Sequence, residues 1–150
     1  MDVNDIGIFA EGGSQHTKRN VANIRADTEI IAVCNGVLTA LFRVVASRDS
    51  QFAGQVGRFL RDLPQPYCFV FSQVSLGADG SLDGGRLAAN LAGLAPADRL
   101  RLLGEAINEL VFMECVAVRR ELGAEATGLI RRVQDVMQRV QTLFGRRDHG

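Results

Sequence analysis

The chain has 150 residues, with 17 basic and 17 acidic side chains, and 47% of its residues are hydrophobic. This length and composition predict one soluble globular domain with its own core, and the zero net charge disfavours a nucleic-acid binder. The three cysteines are widely spaced and form no CxxC pair. We therefore expect neither a disulfide framework nor a metal site, and we expect a cytoplasmic protein with free thiols.

An arm is predicted at the N-terminus, over residues 1–13, because this glycine-containing stretch has little hydrophobic periodicity. We expect it to be loosely ordered or docked on a partner. It is acidic and lacks the apolar run of a signal peptide, so we expect no targeting segment. The remaining residues, 14–150, show no internal repeat and no shift in composition. They are predicted to form a single helical domain.

One long helix is predicted from about Gln15 to Ala46, where apolar residues keep helical spacing. Its apolar half carries a polar side chain at every fourth position, namely Asn35, Thr39 and Arg43, and these lie on one stripe. The stripe interrupts the apolar stretch before it reaches the roughly 20 residues that span a bilayer. We therefore expect the central helix of a soluble bundle and no membrane span.

A second helix is expected over about 50–63, where two prolines end it. The next segment, around 67–76, is rich in aromatic and β-branched residues, which is the composition of a strand. We expect it to be extended, either as a connection packed on the helices or as an edge that pairs with another chain. Phe69 and Phe71 are its predicted partner contacts.

Three more helices are expected, over about 86–94, 97–122 and 124–144, and the last has the most regular apolar stripe. The predicted fold is therefore an all-α bundle of four or five helices with one extended segment. Val133 and Val140 of the last helix, together with the long first helix, are predicted to form the interface of a homodimer.

Glu114 is an isolated charge, because no other charged residue stands within four positions on either side. A buried carboxylate must be paired or have a raised pKa. Arg43 is similarly isolated in the first helix and is the predicted partner, with Asn35 and Thr39 beside it. These four residues would form a polar pocket for a small ligand. The alternatives are a structural ion pair or a carboxylate exposed at a helix edge.

His16 begins the short stretch His16-Thr-Lys-Arg-Asn20, which resembles the phosphoacceptor box of histidine kinases and phosphotransferases. The resemblance covers five residues and implies that His16 accepts a phosphoryl group from a partner. Motifs this short also arise by chance, and the alternative is an exposed histidine near the start of a helix.

The sequence lacks the common catalytic motifs, including the P-loop, GxSxG and HExxH. We therefore expect a non-enzymatic bacterial regulatory or adaptor module in signalling, which acts on a protein partner or on its own copy without a cofactor. One alternative is a small-molecule or phosphoryl-relay sensor that uses the Arg43–Glu114 pocket or His16. The other is a structural subunit of a larger assembly, tied by its N-terminal arm.

Overall fold

A computed structural model describes the backbone of residues 11–149 and the side chains of residues 27–142. The helices in chain order are α1 (Glu11–Ala46), α2 (Phe52–Asp62), α3 (Tyr67–Val70), α4 (Gly84–Ala92), α5 (Pro96–Leu122) and α6 (Thr127–His149). A 3₁₀ turn, Gly123–Ala126, joins α5 to α6. The all-α prediction is confirmed, since no strand occurs between residues 11 and 149.

Helix α1 begins at Glu11, so the last three residues of the predicted arm belong to this helix. Residues 1–10, the rest of that arm, lie outside the described part of the chain.

Helices α1, α5 and α6 enclose the main core. Helices α1 and α5 run parallel, because Asp27 lies 3.6 Å from Arg99 near one end and Arg48 donates to the Glu121 carbonyl oxygen over 3.1 Å near the other. Helix α6 returns antiparallel to α5. The reversal takes place at Gly123, whose φ of 60° lies in the left-handed region that favours glycine.

The core is built from apolar side chains that recur at helical spacing, as amphipathic helices require. The largest apolar side chains that are almost fully buried are Leu38, Leu41, Val45, Phe52, Val56, Val70, Leu87, Leu91, Leu103, Ile107 and Leu110. Helices α2 and α4 each cover one end of this core with a single apolar face. Asp83 begins α4 as its N-cap, because its carboxylate accepts a hydrogen bond from the backbone N–H of Arg86 over 3.2 Å.

The segment 67–76 differs from the prediction. Its first four residues form the single helical turn α3, and the only β-like pairing in the described chain is one antiparallel bridge between Leu76 and Leu82. Local bonds replace a ladder here, since the amide of Asn90 donates to the carbonyl oxygens of Val70 and Ser72 at 2.9 and 2.8 Å. Strand composition did not produce a strand because no second strand lies alongside to accept its hydrogen bonds.

The stretch Asp27–Ala46 is long and apolar enough, at a mean hydropathy of 1.8, to cross a membrane by length and composition alone. However, 44% of its most apolar window is buried inside the protein, and the core helix of a soluble bundle passes the same test. The absence of a membrane span therefore stays a prediction.

Candidate functional site

Arg43 and Glu114 do not form the predicted pair. The Arg43 side chain is exposed on α1 and faces Asp79 in the loop after α3. Both carboxylate oxygens of Glu114 are buried without a hydrogen-bond partner, and burial is the cause that raises its pKa. The proposed Arg–Glu pocket is therefore wrong, because the two charges lie in different environments.

Glu114 lies at the centre of the buried face of α5. Its side chain is 0% exposed, and residues one helical turn away on either side, Leu110 and Val118, are also fully buried. Desolvation raises the pKa of the carboxyl from 4.5 to about 8. The group is therefore neutral in the folded protein at neutral pH and changes charge just above it.

Asn35 and Thr39 do not converge on Glu114 either. The Asn35 side chain donates to the backbone carbonyl of Leu82 and accepts from the Leu82 N–H, both over 2.9 Å. Thr39 is half-buried one turn further along α1. Asn35 thus anchors the loop before α4 to α1, which is a structural role.

The other predicted site residues are also dispersed. Val140 and Phe71 are buried in the core of their own chain, which corrects their prediction as partner contacts, whereas Phe69 is 41% exposed. Val133 also belongs to the core but lines a groove between α5 and α6, so its role as a partner contact stays a prediction. His16 falls within α1, but its side chain lies outside the described residues, so its predicted phosphoacceptor role stays a prediction.

The described residues contain no group of three histidine, cysteine, aspartate or glutamate side chains placed to hold a metal ion. The acidic loop before α4 is instead closed by its own hydrogen bonds. The Asp79 carboxylate accepts from the Ser81 hydroxyl over 2.6 Å and from the Ser81 N–H over 3.0 Å. These bonds lower the pKa of Asp79, and the same carboxylate oxygen, Oδ1, accepts both of them.

An open groove of about 900 Å³ lies between α5 and α6. We call it the α5–α6 groove. Its floor consists of side chains that already belong to the core, namely Val111, Ile130, Val133 and Met137. Phe112 and Val116 line it from α5 and are 72% and 50% exposed. Two large apolar side chains thus meet solvent one helical turn apart.

Charged and polar groups surround this apolar centre. Glu109 lies at the middle of α5, at one end of the groove, whereas Arg119 and Arg120 lie toward the C-terminal end of the helix, at the other. The thiol of Cys115 lies between them and is half-buried, and burial and the neighbouring Glu114 raise its pKa. The groove therefore has an apolar centre with an acidic end and a basic end. This arrangement is more typical of a surface that binds another protein than of a site where a substrate reacts.

The sequence of α5 contains a signal that marks Phe112 and Val116 as surface residues. The core positions of α5 recur three or four residues apart, and these two residues fall on the opposite side of the helix. Large apolar residues outside the core stripe of an amphipathic helix indicate a contact surface.

Comparison with known proteins finds no family model, no curated protein and no solved structure that matches this chain. The function must therefore be inferred from the residues of the chain itself.

Proposed function

We propose that this protein is a non-enzymatic regulatory or adaptor module that acts through protein–protein contacts, and that the α5–α6 groove is its docking surface. The observation that carries this proposal is the exposure of Phe112, at 72%, beside Val116, at 50%, on the side of a groove. Isolated exposed apolar residues are ordinary, but two neighbours over an apolar floor form a patch that a partner can cover.

The energetics favour docking of a helix. Burial of a phenylalanine and a valine side chain each contributes roughly 1.5–3 kcal/mol when they are moved fully out of water. The groove floor is already buried, so these two residues supply most of the new apolar area. A helix that places apolar residues three or four positions apart would contact both of them and the groove together.

The proposal is tested by site-specific photo-crosslinking in the cells that make the protein. A photoreactive phenylalanine analogue replaces Phe112 in one variant and Arg58, an exposed residue of α2, in the control variant. We expect protein adducts from position 112 that position 58 does not give. If neither position gives an adduct, or both give the same ones, the groove is not a docking surface.

A further inference from the structure

The outward face of α5 carries a regular pattern of two charges around two apolar residues. Glu109, Phe112, Val116 and Arg119 follow one another at intervals of three, four and three residues, so they lie on one side of the helix. All four are exposed. We call them the α5 stripe, which spans about 15 Å along the helix axis.

The two charges of the stripe have no ion-pair partner among the described residues of the chain. Their neighbours do: Arg101 lies 2.9 Å from Asp98 and 3.6 Å from Glu105, and Arg120 lies 3.7 Å from Glu121. Glu109 and Arg119 stand ten residues apart on α5, which is too far for them to pair with each other. Each is therefore available to a second molecule.

The spacing of the four residues is the same when the helix is reversed, whereas the charges exchange places. Phe112 and Val116 lie two residues to either side of position 114, and Glu109 and Arg119 lie five residues to either side of it. An antiparallel copy centred on position 114 therefore sets each Phe112 against Val116 and each Glu109 against Arg119. A parallel copy in register would instead oppose Glu109 to Glu109 and Arg119 to Arg119, which is repulsive.

We propose that the occupant of this docking surface is the α5 stripe of a second copy of the chain, antiparallel and related by a two-fold axis at the level of residue 114. This inference rests on the proposed docking function and names its partner. The two-fold arrangement uses every contact twice, giving two Phe–Val contacts at the centre and two Glu–Arg pairs at the rim. An apolar centre with a charged rim is the usual anatomy of a protein interface.

The contact is small, so the dimer depends on protein concentration and on salt. The apolar centre consists of two residues from each copy, and the rim pairs are solvent-exposed and weaken as ionic strength rises. The groove beside the stripe adds area, since the Phe112 ring of one copy can pack over the α5–α6 groove of the other.

The test is a pair of charge reversals read by sedimentation equilibrium of the full chain. Wild type is expected to show a concentration-dependent mass that approaches twice 16.3 kDa. Glu109→Arg and Arg119→Glu are each expected to weaken the dimer by roughly tenfold or more, because two pairs change sign at once. The double variant restores the pairs with reversed polarity and regains dimerisation. Arg58→Glu on α2 is the matched control and leaves the dimer unchanged.

Self-docking is overturned if wild type stays at 16.3 kDa, if the single reversals have no effect, or if the double variant is as weak as the singles. Circular dichroism confirms that each variant is folded. The crosslinks from position 112 separate the two proposals. An adduct with a different protein and none with a second copy keeps the docking function and removes self-docking, whereas no adduct removes both.

Discussion

Asn35 of α1 exchanges two hydrogen bonds with the backbone of Leu82, one from its amide to the carbonyl oxygen and one to its oxygen from the N–H, both 2.9 Å long. The pair joins residues 47 positions apart and fixes the loop before α4 against the central helix. A second contact lies nearby, where Gly80 packs on the ring of Phe42. This loop is therefore held by polar and apolar contacts to the same helix.

Replacing Asn35 by aspartate is expected to lower the free energy of unfolding by about 1–3 kcal/mol. The carboxylate can still accept from the Leu82 N–H, but it cannot donate to the carbonyl and instead repels it. Urea denaturation measures the change. Thr39→Val is the control one turn away, since the Thr39 side chain makes no hydrogen bond among the described residues, and it is expected to change stability by less than about 0.5 kcal/mol. Equal losses in the two variants would contradict the role of the Asn35–Leu82 pair.

Gly80→Ala is expected to cost more than about 2 kcal/mol of stability. Gly80 has a φ of +87°, and a β-carbon there would overlap the Phe42 ring, which packs against Phe52 with centroids 5.5 Å apart. Gly54→Ala on α2 is the comparison, because nothing lies within 4 Å of its added carbon. That variant is expected to gain about 0.5–1 kcal/mol, since alanine favours the helix. Thermal unfolding of both variants checks the opposite signs.

Glu114→Met is expected to stabilise the protein at alkaline pH by a few kcal/mol. Burial raises the pKa of the folded carboxyl to about 8 from 4.5, so the folded state binds the proton more tightly than the unfolded state. The stability of wild type therefore falls as pH rises from 4.5 to about 8 and levels off above it. Methionine has a similar size and no charge, so the stability of the variant does not fall in this way as pH rises.

The measurement is the difference in unfolding free energy between Glu114→Met and wild type from pH 5 to pH 9. The difference is expected to grow with pH and then to reach a plateau. Leu110→Met, one helical turn away on the buried face of α5, removes no ionisable group, so its difference is expected to be flat and it serves as the control. A flat profile for Glu114→Met as well would mean that the carboxylate is hydrated in the folded protein.

The cysteines are expected to react with maleimide according to their environments. Cys34 is 1% exposed and burial raises the pKa of its thiol to about 12, so it is labelled only after unfolding. Cys115 lines the α5–α6 groove and is covered when a second copy docks. Its labelling rate is therefore expected to fall as protein concentration rises, whereas that of Cys68 in α3 stays constant. Peptide mass spectrometry follows both, and a parallel change at Cys68 would show that coverage of the groove is not the cause.

The helical fold could be predicted from the sequence because helical periodicity records burial directly. The stripes of α1, α5 and α6 were all visible as spacing. The conformation of segment 67–76 could not be predicted in this way. Its composition favours a strand, but a strand forms only when another strand pairs with it. The turn α3 instead depends on Asn90, twenty residues from Val70, and no local pattern reveals that contact.

The site was less predictable for a similar reason. Isolation in sequence correctly drew attention to Glu114 as unusual, but it could not give the direction in which Arg43 points. The spacing of residues in the sequence shows which face of a helix a side chain lies on. It does not show which other helix or loop packs against that face. The exposure of Phe112 and Val116 was hard to predict because the residues around them are also apolar. Composition does not distinguish core from surface residues in such a run, and only their position off the core stripe does.

The parallel arrangement of α1 and α5 has a consequence for synthesis of the chain. Arg48 reaches the carbonyl of Glu121 across 73 residues, so the apolar stretch Asp27–Ala46 of α1 leaves the ribosome long before the helix that covers it. At elongation rates of about 5–20 residues per second this interval lasts roughly 4–15 s. The α5–α6 hairpin can close locally as soon as it emerges, whereas α1 must wait. The nascent chain therefore presents its apolar helix to chaperones for seconds before the bundle can form.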